Sequence, residues 1–146
     1  MTLHLEDDQM CYVCGKKNTQ GLKLSFEKSR KHHLISEVTF RKEHQGYKNI
    51  VHGGMMAAVL DDIMVNLAWL EGLPVMTGEL TVRLKKAVPT GHRVLLEGVL
   101  ERGEGRLVYM RASAKSLKGE LYATAKAKCL RVPPGSIKLA SRPKEG

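Results

Sequence analysis

Asn49-Ile50-Val51-His52-Gly53-Gly54-Met55-Met56-Ala57-Ala58-Val59-Leu60-Asp61-Asp62-Ile63-Met64-Val65-Asn66-Leu67-Ala68-Trp69-Leu70 is the stretch that decides the fold. From His52 to about Leu70 it is rich in Met, Ala and Leu and lacks proline. It stops before Gly72 and Pro74, as a helix with a glycine just past its end does. The residues from Met55 to Leu60, then Ile63, Met64, Val65, Leu67 and Ala68, make it apolar nearly all round. Such a helix is buried on most of its sides, so the rest of the chain must wrap it.

Outward from the helix the pattern changes to strands. Upstream, Leu22–Glu27 and Leu34–Phe40 flank a charged turn over 28–33. Downstream, Leu80, Val82 and Leu84 alternate with Glu79, Thr81, Arg83 and Lys85. Val94–Leu100 follows the turn at Pro89-Thr90-Gly91. Leu107–Leu117 and Leu121–Val132 are joined through Lys118-Gly119, a hairpin signal. One face of this last pair is Met110, Ala112 and Ala114 on the first strand. On the second it is Leu121, Ala123, Ala125, Ala127 and Cys129. Alanine faces let a packed neighbour come close. The expectation is an α+β fold: an antiparallel sheet of five or six strands curled around one long helix, as a single domain over 1–132. A flexible basic tail follows over 133–146, after the break at Pro133-Pro134-Gly135.

Composition narrows the class. The chain has 146 residues, 42% hydrophobic and 27% charged, which fits one globular domain. Its acidic start, with Glu6, Asp7 and Asp8, lacks the order of a signal peptide, and no apolar run approaches the ~20 residues of a membrane span. Three cysteines are too few for a disulfide scaffold and fit a reducing cytoplasm. The net charge of +9 is lopsided: residues 1–80 hold nine Lys/Arg against ten Asp/Glu, residues 81–146 fifteen against five. Such a field suits an anionic partner. Aromatics at 5%, without the interleaving among the basic strands that a stacking platform uses, argue against a nucleic-acid surface.

Two features of the helix exceed structural need. Gly53-Gly54 at its start weakens it, but opens backbone N–H groups at the positive end of the dipole to a ligand. A carbonyl oxygen gaining negative charge would be stabilised there. An ordinary turn before a helix is the plainer reading. Asp61-Asp62 sits in the apolar run, where a carboxylate must be paired or protonated, and low dielectric suits it to general-base or nucleophilic work. Adjacent residues stand about 100° apart, so one of the two is expected to face solvent. Gly54 and Asp61 share a face but lie about 10 Å apart along the axis. To act on one carbonyl they must come from two antiparallel helices, which predicts a homodimer with two shared sites.

His52-Gly53-Gly54 with Asp61 nine residues after the histidine, on a long buried helix, resembles the hot-dog-fold acyl-CoA thioesterases of the phenylacetate-type (PaaI-like) branch. Gly46-Tyr47-Lys48-Asn49-Ile50-Val51 resembles their approach to the helix. Cys11-Tyr12-Val13-Cys14-Gly15 through Gly21-Leu22, and Leu80-Thr81-Val82-Arg83-Leu84 with Pro89 and Gly91, extend the resemblance over roughly 11–132. The resemblance implies hydrolysis of an acyl-CoA to acid and CoA, without cofactor or metal. It implies that the Gly54 N–H, beside Gly53, binds the thioester carbonyl and that His52 shapes the helix start. Asp61 from the other subunit would activate water or attack directly, and Thr77 matches the Ser or Thr that assists the carboxylate. Several members carry Asn or Gln six residues before the histidine; here that position is Gly46, with Gln45 and Asn49 as substitutes. The assembly implied is a homodimer, with a dimer of dimers as the alternative. An acyl-CoA binder that does not turn its ligand over is the competing function.

Coenzyme A carries several phosphate charges, and Arg83, Lys85, Lys86, Lys115 and Lys118 are candidates to hold them. Met55, Met56, Met64 and Trp69 could line an acyl pocket or form core. Cys11-x-x-Cys14 has the spacing of half a zinc site, but the sequence offers no second pair. His32, His33 and Cys129 could complete it only through the fold, so a structural turn is expected. His44 and His92 are expected to be solvated.

Overall fold

The computed structural model describes residues 5–133, so the expected basic tail falls outside it from residue 134 on. Helix α1 runs Gly53–Leu70. His52 caps it, its Nδ1 accepting the Gly54 N–H at 2.9 Å. At the far end, Gly72 N–H donates to Trp69 O and Leu73 N–H to Ala68 O, a Schellman closure at a glycine with φ 79°. Glu71 then ties this end to the first hairpin, accepting the His32 N–H at 2.8 Å and pairing with Lys28 at 2.9 Å.

The strands are β1 (Phe26–Arg30), β2 (His33–Thr39), β3 (Val75–Leu84), β4 (Arg93–Glu104), β5 (Leu107–Ser116) and β6 (Leu121–Arg131). They form one antiparallel sheet in the order β1-β2-β4-β5-β6-β3, so β3 lies at the opposite edge from β1. Wrapped around α1, this is the hot-dog arrangement that the resemblance implied.

The alanine faces explain how closely the helix sits. One row of paired residues crosses the sheet as Leu34, Gly98, Ala112, Ala125 and Val82. The next runs Ser36, Leu96, Ala114, Ala123 and Leu84. At Gly98 a Cβ would stand 3.3 Å from Ile63 Cγ1 and 3.4 Å from Ile63 O, so the helix rests directly on the strand there. Ile63, Leu60, Met64 and Leu67 are fully buried above these rows.

Several expectations change. The helix is buried on one side, through Met56, Val59, Leu60, Ile63, Met64, Leu67 and Ala68. Met55, Ala58, Asp62, Val65, Asn66 and Trp69 form a half-buried stripe opposite, because a single sheet covers only one side. By length and composition alone, α1 is apolar enough to cross a membrane, with mean hydropathy 1.3 over 18 residues. Its apolarity serves the sheet contact instead. Leu22–Glu27 is not one strand: Leu22 and Leu24 donate to Tyr12 O and Val13 O, and β1 starts only at Phe26. β3 begins earlier than expected, at Val75, and β4 continues to Glu104 past a register shift between Leu100 and Arg102. Leu121 leaves the inner face, because a shift at Ala114/Lys115 pairs it with Lys115. His44 is 2% exposed, not solvated, stacked edge-on to Phe40.

Candidate active site

The fold brings Asp61 and Thr77 together. Thr77 lies near the start of β3 on the inner face, paired with buried Cys129, and its Oγ1 donates to Asp61 Oδ1 at 2.6 Å. The early start of β3 makes this contact possible. Asp61 is half-buried. The carboxylate is therefore held by a neutral hydroxyl, which fixes its orientation without neutralising its charge.

Asp62 does not face open solvent, as one of the two aspartates was expected to. It is half-buried against the segment that carries Cys11 and Cys14, with Cys11 Sγ donating to Oδ1 at 3.5 Å and Asn66 Nδ2 to Oδ2 at 3.0 Å. Burial pushes its carboxyl above the ordinary carboxylate range, against these hydrogen bonds. The same surroundings push the Cys14 thiol far up, by burial first and then by Asp62.

The loop before the helix is closed on itself. Gln45 Oε1 accepts the Asn49 N–H at 3.0 Å, Gly46 N–H donates to Ile50 O at 2.9 Å, and Gln45 bridges to Val51. Asn49 is exposed, with φ 61°. The loop thus presents Gln45 and Asn49 next to His52 but engages the Gln45 carbonyl locally. The Gly54 N–H is engaged too, by His52 Nδ1, so the open donor expected there is occupied within the protomer. Gly53 is half-buried beneath Leu84, whose Cδ1 would lie 2.7 Å from a Cβ at that position.

The basic candidates divide. Arg83, Lys85 and Lys115 line one open depression of about 650 Å³ on the outer face of the sheet, together with Arg111 and Lys126. Arg111 and Lys126 are direct cross-strand partners, and Arg111 also pairs with Glu101 at 3.1 Å; from the sequence the alternation of Lys126 with the inner alanines reads only as a solvated sheet face. Lys86 is taken by Glu120 at 2.8 Å, and Lys118 sits in the β5–β6 turn. The depression is separated from Asp61 by the sheet itself. Of the acyl-pocket candidates, Met56 and Met64 are core, whereas Met55 and Trp69 are half-buried and Trp69 Nε1 donates to Val75 O at 3.2 Å.

A family model described as "Thioesterase superfamily" matches residues 48–123. The chain is 30% identical over 91 residues to the acyl-coenzyme A thioesterase THEM4 of Bos taurus, covering 62% of this chain and 37% of that one. It thus spans little more than a third of that relative's length. Among solved structures, one described as a thioesterase superfamily protein aligns with TM-score 0.80 at 22% identity, over 84% of this chain and 60% of the other. A hypothetical thioesterase from Streptococcus pneumoniae, solved with coenzyme A, aligns with TM-score 0.70 at 18% identity, over 74% and 84%. Two mutant structures of that protein carry aspartate-to-alanine and threonine-to-alanine changes sixteen positions apart. The PaaI protein of E. coli aligns with TM-score 0.71 at 12% identity, over 75% and 84%.

Proposed function

The chain belongs to the thioesterase superfamily, and we propose that it hydrolyses an acyl-CoA thioester to free acid and CoA. The carrying observation is the carboxylate of Asp61, half-buried on the central helix and held through Oδ1 by Thr77 at 2.6 Å. Oδ2 is then the oxygen that takes a proton from water as that water attacks the thioester carbonyl carbon. The C–S bond breaks and the CoA sulfur leaves with a proton. In the alternative route Oδ2 attacks the carbon itself, and water later cleaves the resulting anhydride. The sixteen-residue spacing of Asp61 and Thr77 equals that of the two mutated positions in the S. pneumoniae thioesterase, which supports assigning them to one unit.

The carbonyl oxygen needs a donor from a second helix, since Gly54 and Asp61 are about 10 Å apart on their own. Gly53, at the first helical position, has an N–H outside the helix's own ladder. We therefore assign the oxyanion contact to the partner's Gly53. Giving this role to the partner's Gly54 would require its His52 to release that N–H. The second copy joins along β3, an unpaired ten-residue sheet edge that exposes Met76, Leu80 and Leu84. Arg83, Lys85, Lys115, Arg111 and Lys126, gathered on the outer face beside that edge, would hold the CoA phosphates.

The test is thiol release from short, long and aromatic acyl-CoAs. The wild type should turn over at least one class, and Asp61→Ala should lose that activity by about 10³-fold or more. CoA binding without thiol release from any of them would make the protein a carrier or sensor and overturn the reading. A single turnover in ¹⁸O-water identifies the anhydride route when label appears in Asp61, which requires water to attack the Asp61 carboxyl carbon of the anhydride.

A further inference from the structure

The N-terminal motif Cys11-x-x-Cys14-Gly15 plays no part in the thioester chemistry. The sequence offers no second Cys-x-x-Cys pair to complete it. The fold supplies a different third group. Cys11 Sγ, Cys14 Sγ and an Asp62 oxygen all lie within 4.8 Å of one another, although Asp62 stands on α1 some fifty residues away. We propose that these three residues bind a divalent transition-metal ion of the zinc class, with the fourth position of a tetrahedral site open to water.

The surroundings fit that ion. Two thiolates and one carboxylate are ligand types that zinc accepts. The Cys11–Cys14 turn is pre-shaped: Gly15 N–H donates to Cys11 O at 2.8 Å. A Cβ on Gly15 would stand 2.4 Å from both Cys11 N and Gln9 O, so only glycine lets the turn close this tightly. Asn66 supplies the outer support. Its Nδ2 reaches Asp62 Oδ2 at 3.0 Å and Cys14 Sγ at 3.8 Å, which leaves Oδ1 turned toward Cys11 as the ligand atom. Among the described residues, Asp62 makes no ion pair with a lysine, arginine or histidine, so no side-chain cation occupies the place an ion would take. Cys11 is exposed, which gives the ion an entry path and its fourth ligand, water. On binding, the Sγ protons of Cys11 and Cys14 pass to solvent, both sulfurs become thiolates, and Asp62 coordinates as a carboxylate. The ion then clamps the N-terminal segment onto the open stripe of α1.

The test uses the intact protein, purified without chelator. Elemental analysis should find about one zinc per chain. After the zinc is stripped, cobalt(II) should bind one per chain with the intense visible bands of a tetrahedral site and a sulfur-to-cobalt charge-transfer band. Cys11→Ser and Cys14→Ser should each remove or halve that band, and Cys129→Ser should leave it unchanged. Asn66→Ala should weaken zinc binding by about 10–100-fold. Should the cysteine variants fail to fold, alkylation of the wild type still decides: zinc should protect Cys11 and Cys14, mapped by peptide mass. A weak octahedral cobalt spectrum, a charge-transfer band undiminished by Cys14→Ser or by Cys11→Ser, or thiols alkylated equally with and without zinc would overturn the proposal.

Discussion

At the scale of single residues, the site depends on how one carboxylate is held. Removing the Thr77 hydroxyl frees Asp61 to rotate, so Thr77→Ala should lower kcat by about 10–100-fold with little change in KM, and Thr77→Ser should recover most of it; thiol release checks both. His44 carries a second prediction. Its Nδ1 accepts the Arg41 N–H at 2.9 Å, and burial, then the nearby Arg41 guanidinium, hold its pKa below the ordinary imidazole value. The unfolded chain therefore takes up this proton at a higher pH than the folded one, and stability falls as pH drops below about 6.5. Urea midpoints between pH 7.5 and 5 should show that decline, and His44→Gln should flatten it. Asp61 stood out in the sequence because a charge inside an apolar helix is anomalous, whereas Thr77 was reached only through the resemblance to the hot-dog thioesterases. The burial of His44 was not legible, since its loop surroundings resemble any solvated turn. Nor was the setting of Asp62, whose thiol neighbours arrive from a distant segment.

Among elements, the contact that sets the helix depth is the crossing of α1 over β4. Gly98→Val would push branched carbon into Ile63 and its carbonyl, where there is no room to yield. It should cost about 1–3 kcal/mol, read from the urea midpoint at constant m-value. The alanine alternation on β5 and β6 announced this closeness, and the helix limits were readable from its glycines and prolines. What escaped was register. One register shift turns Leu121 outward, another lies where β4 runs on past Leu100, and a backbone pairing with Tyr12 and Val13 takes Leu22 and Leu24 out of β1. Local hydrophobic patterns do not encode where a ladder slips, because the choice is made by strands far away in sequence.

For the whole molecule, the proposed pairing of two copies turns on the β3 edge. Leu80→Lys with Leu84→Lys places charge on the exposed β3 edge, at residues 37% and 57% accessible. Light scattering should then report a monomer, and that monomer should have lost thioesterase activity while keeping its circular dichroism. A monomer with full turnover would refute the shared site. The sheet order has a further consequence, in the time course of synthesis. β3 is made third but pairs only with β6, made last. A nascent chain that has emerged as far as Leu117 can already pair β1, β2, β4 and β5, yet β3 waits without a neighbour on either side. In the proposed dimer the strand offered to the second copy is thus the last to be secured, and assembly would be deferred until nearly the whole domain has left the ribosome.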